Sequence, residues 1–413
     1  MKPTMTLPPP PMRGVPELGG WLRRNRVAAV TVLADPAVVD QPITAAVRAQ
    51  AASVGSAPRL IEGTGHGNLD EIRALADRLA EHEIVLGVGG GTILDLAKLA
   101  VLTATRPEGW QRITAPQRSG MVALPPHLGN SVRVVAVPTT LGTGSELGTV
   151  ACFEQAGAKR LVTGPCLRPM AAVWDAAATA TLPVDHVADG VLEALFRTVS
   201  AYVGDPTTLP EQDALVEELA GRLIRLGDAV ADRRRIGAPI DADLRLRIAE
   251  CSGESQIGLI NAGRSPYAVK GWPIANELST TLGLPKMRAV AAVWPVLWRR
   301  IDDGDSRLGD AGRLRRLWAE LRRRVPRLAP EPSAGLVGLI DEWDIRRHVR
   351  ATPDAIDTAV TRAMRAWGAG LPMLGGMTAA DLRELLAEAT EPPDPPRASA
   401  APQSSRQGVA LLT

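Results

Sequence analysis

A chain of 413 residues with 45% hydrophobic content is long enough for two domains, each with a sizeable core. Its net charge of +2 gives no electrostatic case for nucleic acid. No run is apolar and long enough to span a membrane, and the N-terminus lacks the apolar core of a signal peptide. Cys152, Cys166 and Cys251 have neither metal-ligand spacing nor an even pairing, so a reducing cytoplasm is the expected compartment.

Residues 1–22 include PPPPMRGVPELGG and are expected to form a flexible or surface-draped lead-in. Residues 23–184 then alternate between strand and helix patterns. Val27–Ala34 predicts a strand, Val39–Ala52 a helix, Arg59–Glu62 a short strand and Leu69–His82 a second helix. This alternation with short connections predicts a doubly wound parallel sheet that binds its ligand at the carboxyl ends of its strands. Asp35 closes the first strand just before Pro36, a place that suits a turn or a helix cap.

The stretch Glu83–Lys98, EIVLGVGGGTILDLAK, joins a buried strand to Gly89, Gly90 and Gly91 and then to a helical pattern. Glycine lets backbone approach a phosphate, and a helix start offers unpaired N–H groups and the positive end of its dipole. Thr92 is the expected N-cap. Asp95 and Lys98, three apart on one helix face, are expected to point back at the bound group. Thr103–Asn130 reads as a loop. Arg133–Glu146, RVVAVPTTLGTGSE, is a second buried strand broken by Pro138 into a hydroxyl-rich loop with Thr139, Thr140 and Ser145. Thr149–Phe153 and Lys159–Thr163 predict a hairpin, and Ala171–Asp175 a last strand.

After Leu182-Pro183 the period becomes helical. Residues 185–390 predict an all-helical domain with segments at Leu192–Tyr202, Glu211–Val230, Asp243–Ile260, Trp272–Arg299, Arg313–Arg324, Ser333–Trp343, Pro353–Ala366 and Ala379–Ala389. Residues 391–413 have a disordered composition.

Together GGGTxxDxxK and PTTxGTGSE resemble the iron-containing (group III) alcohol dehydrogenases, kin of dehydroquinate synthase, and the resemblance runs over residues 25–390. It implies an α/β nucleotide-binding domain of Rossmann-like type followed by a helical domain, with the active site between them. It also implies cofactor contacts from Asp35, Gly89, Gly90, Gly91, Thr92, Asp95, Lys98, Pro138, Thr139, Thr140, Ser145 and Lys159. Asp35 takes the place of the acidic residue that meets the adenosine ribose. A carboxylate there accepts from a 2′-hydroxyl and repels a 2′-phosphate, so NAD is favoured over NADP. Lys159 matches the lysine near the nicotinamide ribose and phosphates. The chain has five lysines among its 47 basic residues, and Lys98, Lys159 and Lys286 all fall on positions of the family pattern. Lysine kept where arginine is the usual choice points to a need for a compact or titratable ammonium.

Family members hold a divalent metal with one carboxylate and three histidines of the helical half. Here Glu193 stands for the carboxylate, and Arg197, Trp272 and Lys286 take histidine places, with Asn276 at another ligand position. The five histidines, His66, His82, His127, His186 and His348, fall elsewhere. Arginine and lysine cations do not ligate metals, so no catalytic iron or zinc is expected.

Two readings stay open. In the first, Arg197 and Lys286 replace the metal's charge, Lys286 is desolvated and acts as general base, and Asn276 orients the hydroxyl of a secondary alcohol. A cationic pocket suits a carboxylate-bearing substrate, either a small molecule or a peptide C-terminus. Oxidative decarboxylation of a C-terminal threonine, as in the family's branch in daptide-type ribosomal peptide tailoring, fits that chemistry. In the second, Glu193 and Arg197 form an ordinary salt bridge, Trp272 fills the site, and an inactive nucleotide-binding relative serves as a scaffold. A homodimer is the expected assembly.

Overall fold

The computed structural model describes residues 7–55, 57–65, 67–79 and 83–392. His66, His82, the first six residues of the lead-in and the part of the tail from 393 onward lie outside them. The strands are β1 (Val30–Ala34), β2 (Arg59–Glu62), β3 (Ile84–Gly89), β4 (Met121–Ala123), β5 (Val132–Pro138), β6 (Val150–Gln155), β7 (Ala158–Thr163) and β8 (Pro169–Ala172). Five of them form a parallel sheet in the order β2-β1-β3-β5-β8, and β4-β7-β6 form a small separate sheet. Every residue of β1 and β3 is buried, as expected for strands covered on both faces.

From β1 the chain runs outward to β2 and then returns to β3 on the other side of β1. The strand order therefore reverses between the carboxyl ends of β1 and β3, where doubly wound sheets bind ligands. Asp35 and Gly89 lie at that point.

The second half holds nine α-helices, from Val184–Gly204 to Ala379–Ala389, among the described residues. Their core carries an aromatic chain: Phe196 lies 4.8 Å from Trp294, whose ring is 5.2 Å from that of Trp298. Leu141, Leu147 and Trp174 of the α/β half belong to the same apolar cluster, so the two halves share one core.

Three expectations need correction. The lead-in is not draped: Met12 pairs with Val173 beside β8, and helix Pro16–Arg24 buries Leu18 and Leu22. Its prolines and glycines read as breakers, yet Pro16 sits in the first turn of that helix, where proline is tolerated. Thr103–Asn130 is not one loop. It holds the end of helix Gly91–Thr105, helix Pro107–Thr114 (again opened by proline) and β4. Asp243–Ile260 is not one helix, since Ala242–Glu254 stops at Ser255 and a short 3-10 turn, Gly258–Asn261, follows.

The halves meet backbone to backbone. Gly142, at φ +97°, and Gly190, of helix Val184–Gly204, leave no room for a side chain. A Cβ on Gly142 would lie 2.5 Å from Gly190 Cα, and one on Gly190 would lie 2.7 Å from the Leu141 carbonyl oxygen. Gly190→Ala is expected to lower unfolding stability by about 1–3 kcal/mol, the usual cost of overpacking a close contact. Urea unfolding monitored by circular dichroism checks this; an unchanged midpoint would mean that the contact yields.

Candidate active site

The nucleotide end is built by β3, β5 and the loops after them. Gly90 is the N-cap of helix Gly91–Thr105 and makes no side-chain cap bond. Thr92 therefore lies inside the helix and is not its cap, because the chain already turns helical at Gly91. Three close approaches define the cradle. A Cβ on Gly89 would come within 3.0 Å of Asp35 Cβ, one on Gly90 within 3.1 Å of Thr140, and one on Gly91 within 3.0 Å of Thr143. Thr139 donates its N–H to the Gly89 carbonyl at 3.0 Å, and Pro138 is in register with Gly89. Asp35, the glycine turn and the Pro138–Thr140 loop thus converge at the reversal of strand order. A free helix start facing glycines is a fit for the pyrophosphate of a dinucleotide. From Pro138 and Thr140 a pocket continues toward Glu146, Trp174, Asp175 and Thr179. The Asp35 carboxylate accepts the Ala37 N–H at 3.0 Å, so it also caps its own turn.

Asp95, Lys98 and Ser145 have a different task from the one expected. Lys98 is fully buried; its ammonium donates to Ser145 Oγ at 2.7 Å and to the Val150 carbonyl at 3.0 Å, and lies 3.5 Å from Asp95. Ser145 Oγ donates to Asp95 Oδ1 at 2.6 Å, and the Cys152 N–H donates to Asp95 Oδ2 at 2.9 Å. With three donors and three partners the Lys98 ammonium is satisfied internally and faces no ligand. Burial pulls its pKa below the usual value, against the charges of Asp95 and Glu146. The trio ties the glycine helix to the loop after β5 and to β6.

The other end is carried by helices Val184–Gly204 and Lys286–Asp302. Glu193 Oε1 accepts from Lys286 Nζ at 2.5 Å and from Arg197 Nη2 at 3.1 Å, and Arg197 Nη1 donates to Ser255 Oγ at 2.8 Å. Glu193 and Arg197, four apart, share one helix face. Burial drives the Glu193 carboxyl upward, but Lys286 and then Arg197 outweigh it and hold the group below the usual range. Lys286 caps the ring of Trp272 at 5.0 Å, and Trp272 packs edge-on to Phe196 at 4.6 Å. Trp272 is thus a wall docked in the helical core.

Lys286 is not desolvated as expected: its side chain is 32% exposed. Lys159 is exposed on β7, and its charge is the weakest of the influences that lower the Glu193 carboxyl. Asn276 lies one turn beyond Trp272 on helix Gly271–Leu282, half-buried. Among the described residues its side chain makes no hydrogen bond to the cluster.

A carboxylate already held by two cations is not a metal-ligand set, and Glu193, Arg197, Trp272 and Lys286 do not fit a bound iron or zinc. Sequence reasoning did not assign Glu146, although it lies in the quoted motif. It is 3% exposed, accepts the Trp174 indole N–H at 3.1 Å and borders the pocket beyond Thr140. Burial pushes its carboxyl above the ordinary value near 4.5, against its hydrogen bonds and the charges of Lys98 and Arg197.

Fold and site define a two-part protein, with a dinucleotide-type α/β half and a helical half that supplies the charged cluster. Residues 14–176 match the sequence model of the family described as iron-containing alcohol dehydrogenase. The chain is 30% identical over 222 residues to the NADPH-dependent aldehyde reductase YqhD of Escherichia coli (strain K12), a match covering 53% of the chain and 54% of the relative. It is 35% identical over 233 residues to a phosphonoacetaldehyde reductase of Streptomyces viridochromogenes, covering 55% and 56%. The chain spans about half the length of these curated relatives. The fold extends further: the NADH-dependent butanol dehydrogenase A of Thermotoga maritima superposes with a TM-score of 0.76, covering 94% of this chain and 98% of that one at 18% identity. Among the described residues no helix is long and apolar enough to cross a membrane.

A carboxyl whose pKa is raised in the fold stabilises the protein below its unfolded value, near 4.5, and that stability is lost as pH rises through the folded value. Glu146→Gln keeps an acceptor for Trp174 and removes the titration. Its stability relative to wild type is therefore expected to grow as pH rises above about 4.5 in urea unfolding. A difference that stays constant with pH would show that the fold does not raise the Glu146 carboxyl.

Proposed function

We propose that the protein is an NAD(P)-dependent oxidoreductase that interconverts a secondary alcohol and its carbonyl compound without a catalytic metal, on a carboxylate-bearing substrate. The observation that carries this reading is Glu193 Oε1 gripping Lys286 and Arg197 together. Two cations on one carboxylate leave an excess of positive charge where the substrate oxygen would lie. The bound nicotinamide would supply or accept the hydride. Lys286 hydrogen-bonds the substrate oxygen and stabilises alkoxide character; in the reductive direction its ammonium yields a proton to that oxygen and Glu193 stabilises the charged lysine. This revises the expected base role, since Lys286 is ion-paired and not stripped of solvent. Arg197, with both ends of its guanidinium engaged, holds Glu193 in place and contributes charge.

The relative named for reducing phosphonoacetaldehyde supports an anionic substrate class. Threonine-ended peptides, whose β-keto acid product would lose CO2, are one such class. Asp35 at the strand-order reversal favours NAD over NADP, and a homodimer in the cytoplasm remains our expected setting. The ordinary salt bridge between Glu193 and Arg197 favours a second reading, an inactive nucleotide-binding scaffold.

Calorimetry of NAD and NADP on metal-stripped protein tests the nucleotide site that both readings share, and turnover separates them. NAD binding that is unaffected by added iron or zinc justifies a search for turnover among β-hydroxy acids and threonine-ended peptides. Failure to bind either nucleotide overturns the dehydrogenase and leaves the glycine motifs as relics. With a substrate in hand, Lys286→Ala is expected to lower kcat by at least about 100-fold, in line with loss of an acid–base group, and to change nucleotide affinity less than about tenfold. An unchanged kcat removes Lys286 from the chemistry.

A further inference from the structure

One turn of chain touches both ends of the site. Helix Ala242–Glu254 ends at Ser255, and the next residue is Gln256. Ser255 is 2% exposed, and its hydroxyl is fully committed: it accepts from Arg197 Nη1 at 2.8 Å and donates to the Ser252 carbonyl at 2.6 Å. Gln256 Nε2 donates to the Thr143 carbonyl at 2.8 Å. Thr143 is the residue packed on Gly91 at the start of the glycine helix. The fit at this turn is close, because a Cβ on Gly144 would lie 2.4 Å from Gln256 Cγ and 2.9 Å from the Ser252 carbonyl oxygen. On the turn's other side Gly253 packs against Trp174, the donor to Glu146.

The contacts form a continuous series. It runs from the Gly91 turn through Thr143, Gln256 and Ser255 to Arg197, then through Glu193 to Lys286. A buried hydroxyl and a half-buried amide with committed partners have few alternative positions, so a shift of the loop at Thr143 is passed on to Arg197. We infer that Ser255 and Gln256 are positioning residues, which set the orientation of Arg197, and through it Glu193 and Lys286, according to whether the nucleotide loop is occupied. This deepens the dehydrogenase reading and rests on nucleotide binding at the glycine turn.

The test uses the full chain and ADP, which carries the adenosine and pyrophosphate but no nicotinamide to cover Lys286. ADP binding is measured by calorimetry, and the rate of Lys286 acetylation by acetic anhydride is followed by peptide mass spectrometry with and without saturating ADP. In wild type and in Ser255→Thr, which keeps the hydroxyl, ADP is expected to change the Lys286 rate by at least about fivefold, the lower end of ordinary coupling between sites. In Gln256→Met and Ser255→Ala, ADP still binds and the Lys286 rate no longer responds. Residues acting only as packing would lower stability without erasing the response, so a response that persists in both variants overturns the inference. So does a wild-type Lys286 rate indifferent to bound ADP. If Gln256→Met does not fold, Ser255→Ala decides alone. If ADP does not bind to wild type at all, the nucleotide reading itself fails, and that result is distinct from either of the others.

Discussion

The tightest contact that sets the two halves in register is that of Gly142 with Gly190 and Leu141. A side chain at either glycine would hold helix Val184–Gly204 away from the loop after β5. Glu193 lies three residues beyond Gly190, and Arg197 one turn further on. The placement of the charged cluster over the nucleotide loop therefore follows from two missing Cβ atoms. Lys286 and Trp272 come from other helices of the same core and reach Glu193 because that helix is fixed at this height. The position needs no charge–charge attraction to set it, and the charges are then added to a geometry that packing has already determined.

Charge balance gives the cluster its character. Glu193 is buried, and a lone buried carboxylate would be protonated or excluded; two cations make the ionised form the stable one. Neutralising Glu193 would leave both cations without compensation, and removing both cations would leave a buried carboxylate unpaired, so the three groups stand or fall together. Glu146, also buried but with no cation in direct contact, goes the other way and is pushed toward the neutral form despite the hydrogen bonds it accepts. Two glutamates of similar burial thus differ because one has an ammonium at 2.5 Å and the other does not.

Much of this could be read in the sequence. Short β-branched runs ending in Gly89 and Pro138 can be little other than buried parallel strands, and the glycine turn requires close approach on every side. Glu193, Arg197 and Lys286 do come together, since helical spacing fixes the first two and the family pattern brings the third. Asp35 and Gly89 meet because strand order reverses between β1 and β3. What failed did so for local reasons. Proline and glycine in residues 7–22 and 103–130 were read as breakers, although Pro16 and Pro107 open helices. Lys98 was expected at the ligand because helix spacing puts it on the face of Asp95. The spacing was right, but the partner proved to be Ser145, forty-seven residues away, and such long-range pairing leaves no periodic trace.

The same blindness explains why Ser255 and Gln256 left no mark. A serine and a glutamine in a helical pattern carry no motif, and their value comes from what the fold sets on either side of them. Gln256 packs close to the loop because Gly144 has no side chain, and the Ser255 hydroxyl is committed on both sides because Arg197 needs an acceptor there. A shorter ligand at position 197 would leave the Ser255 hydroxyl with its Ser252 carbonyl alone. A metal ion orients its ligands by coordination, whereas a guanidinium must be held by hydrogen bonds from the surrounding chain, and here this turn supplies one of them.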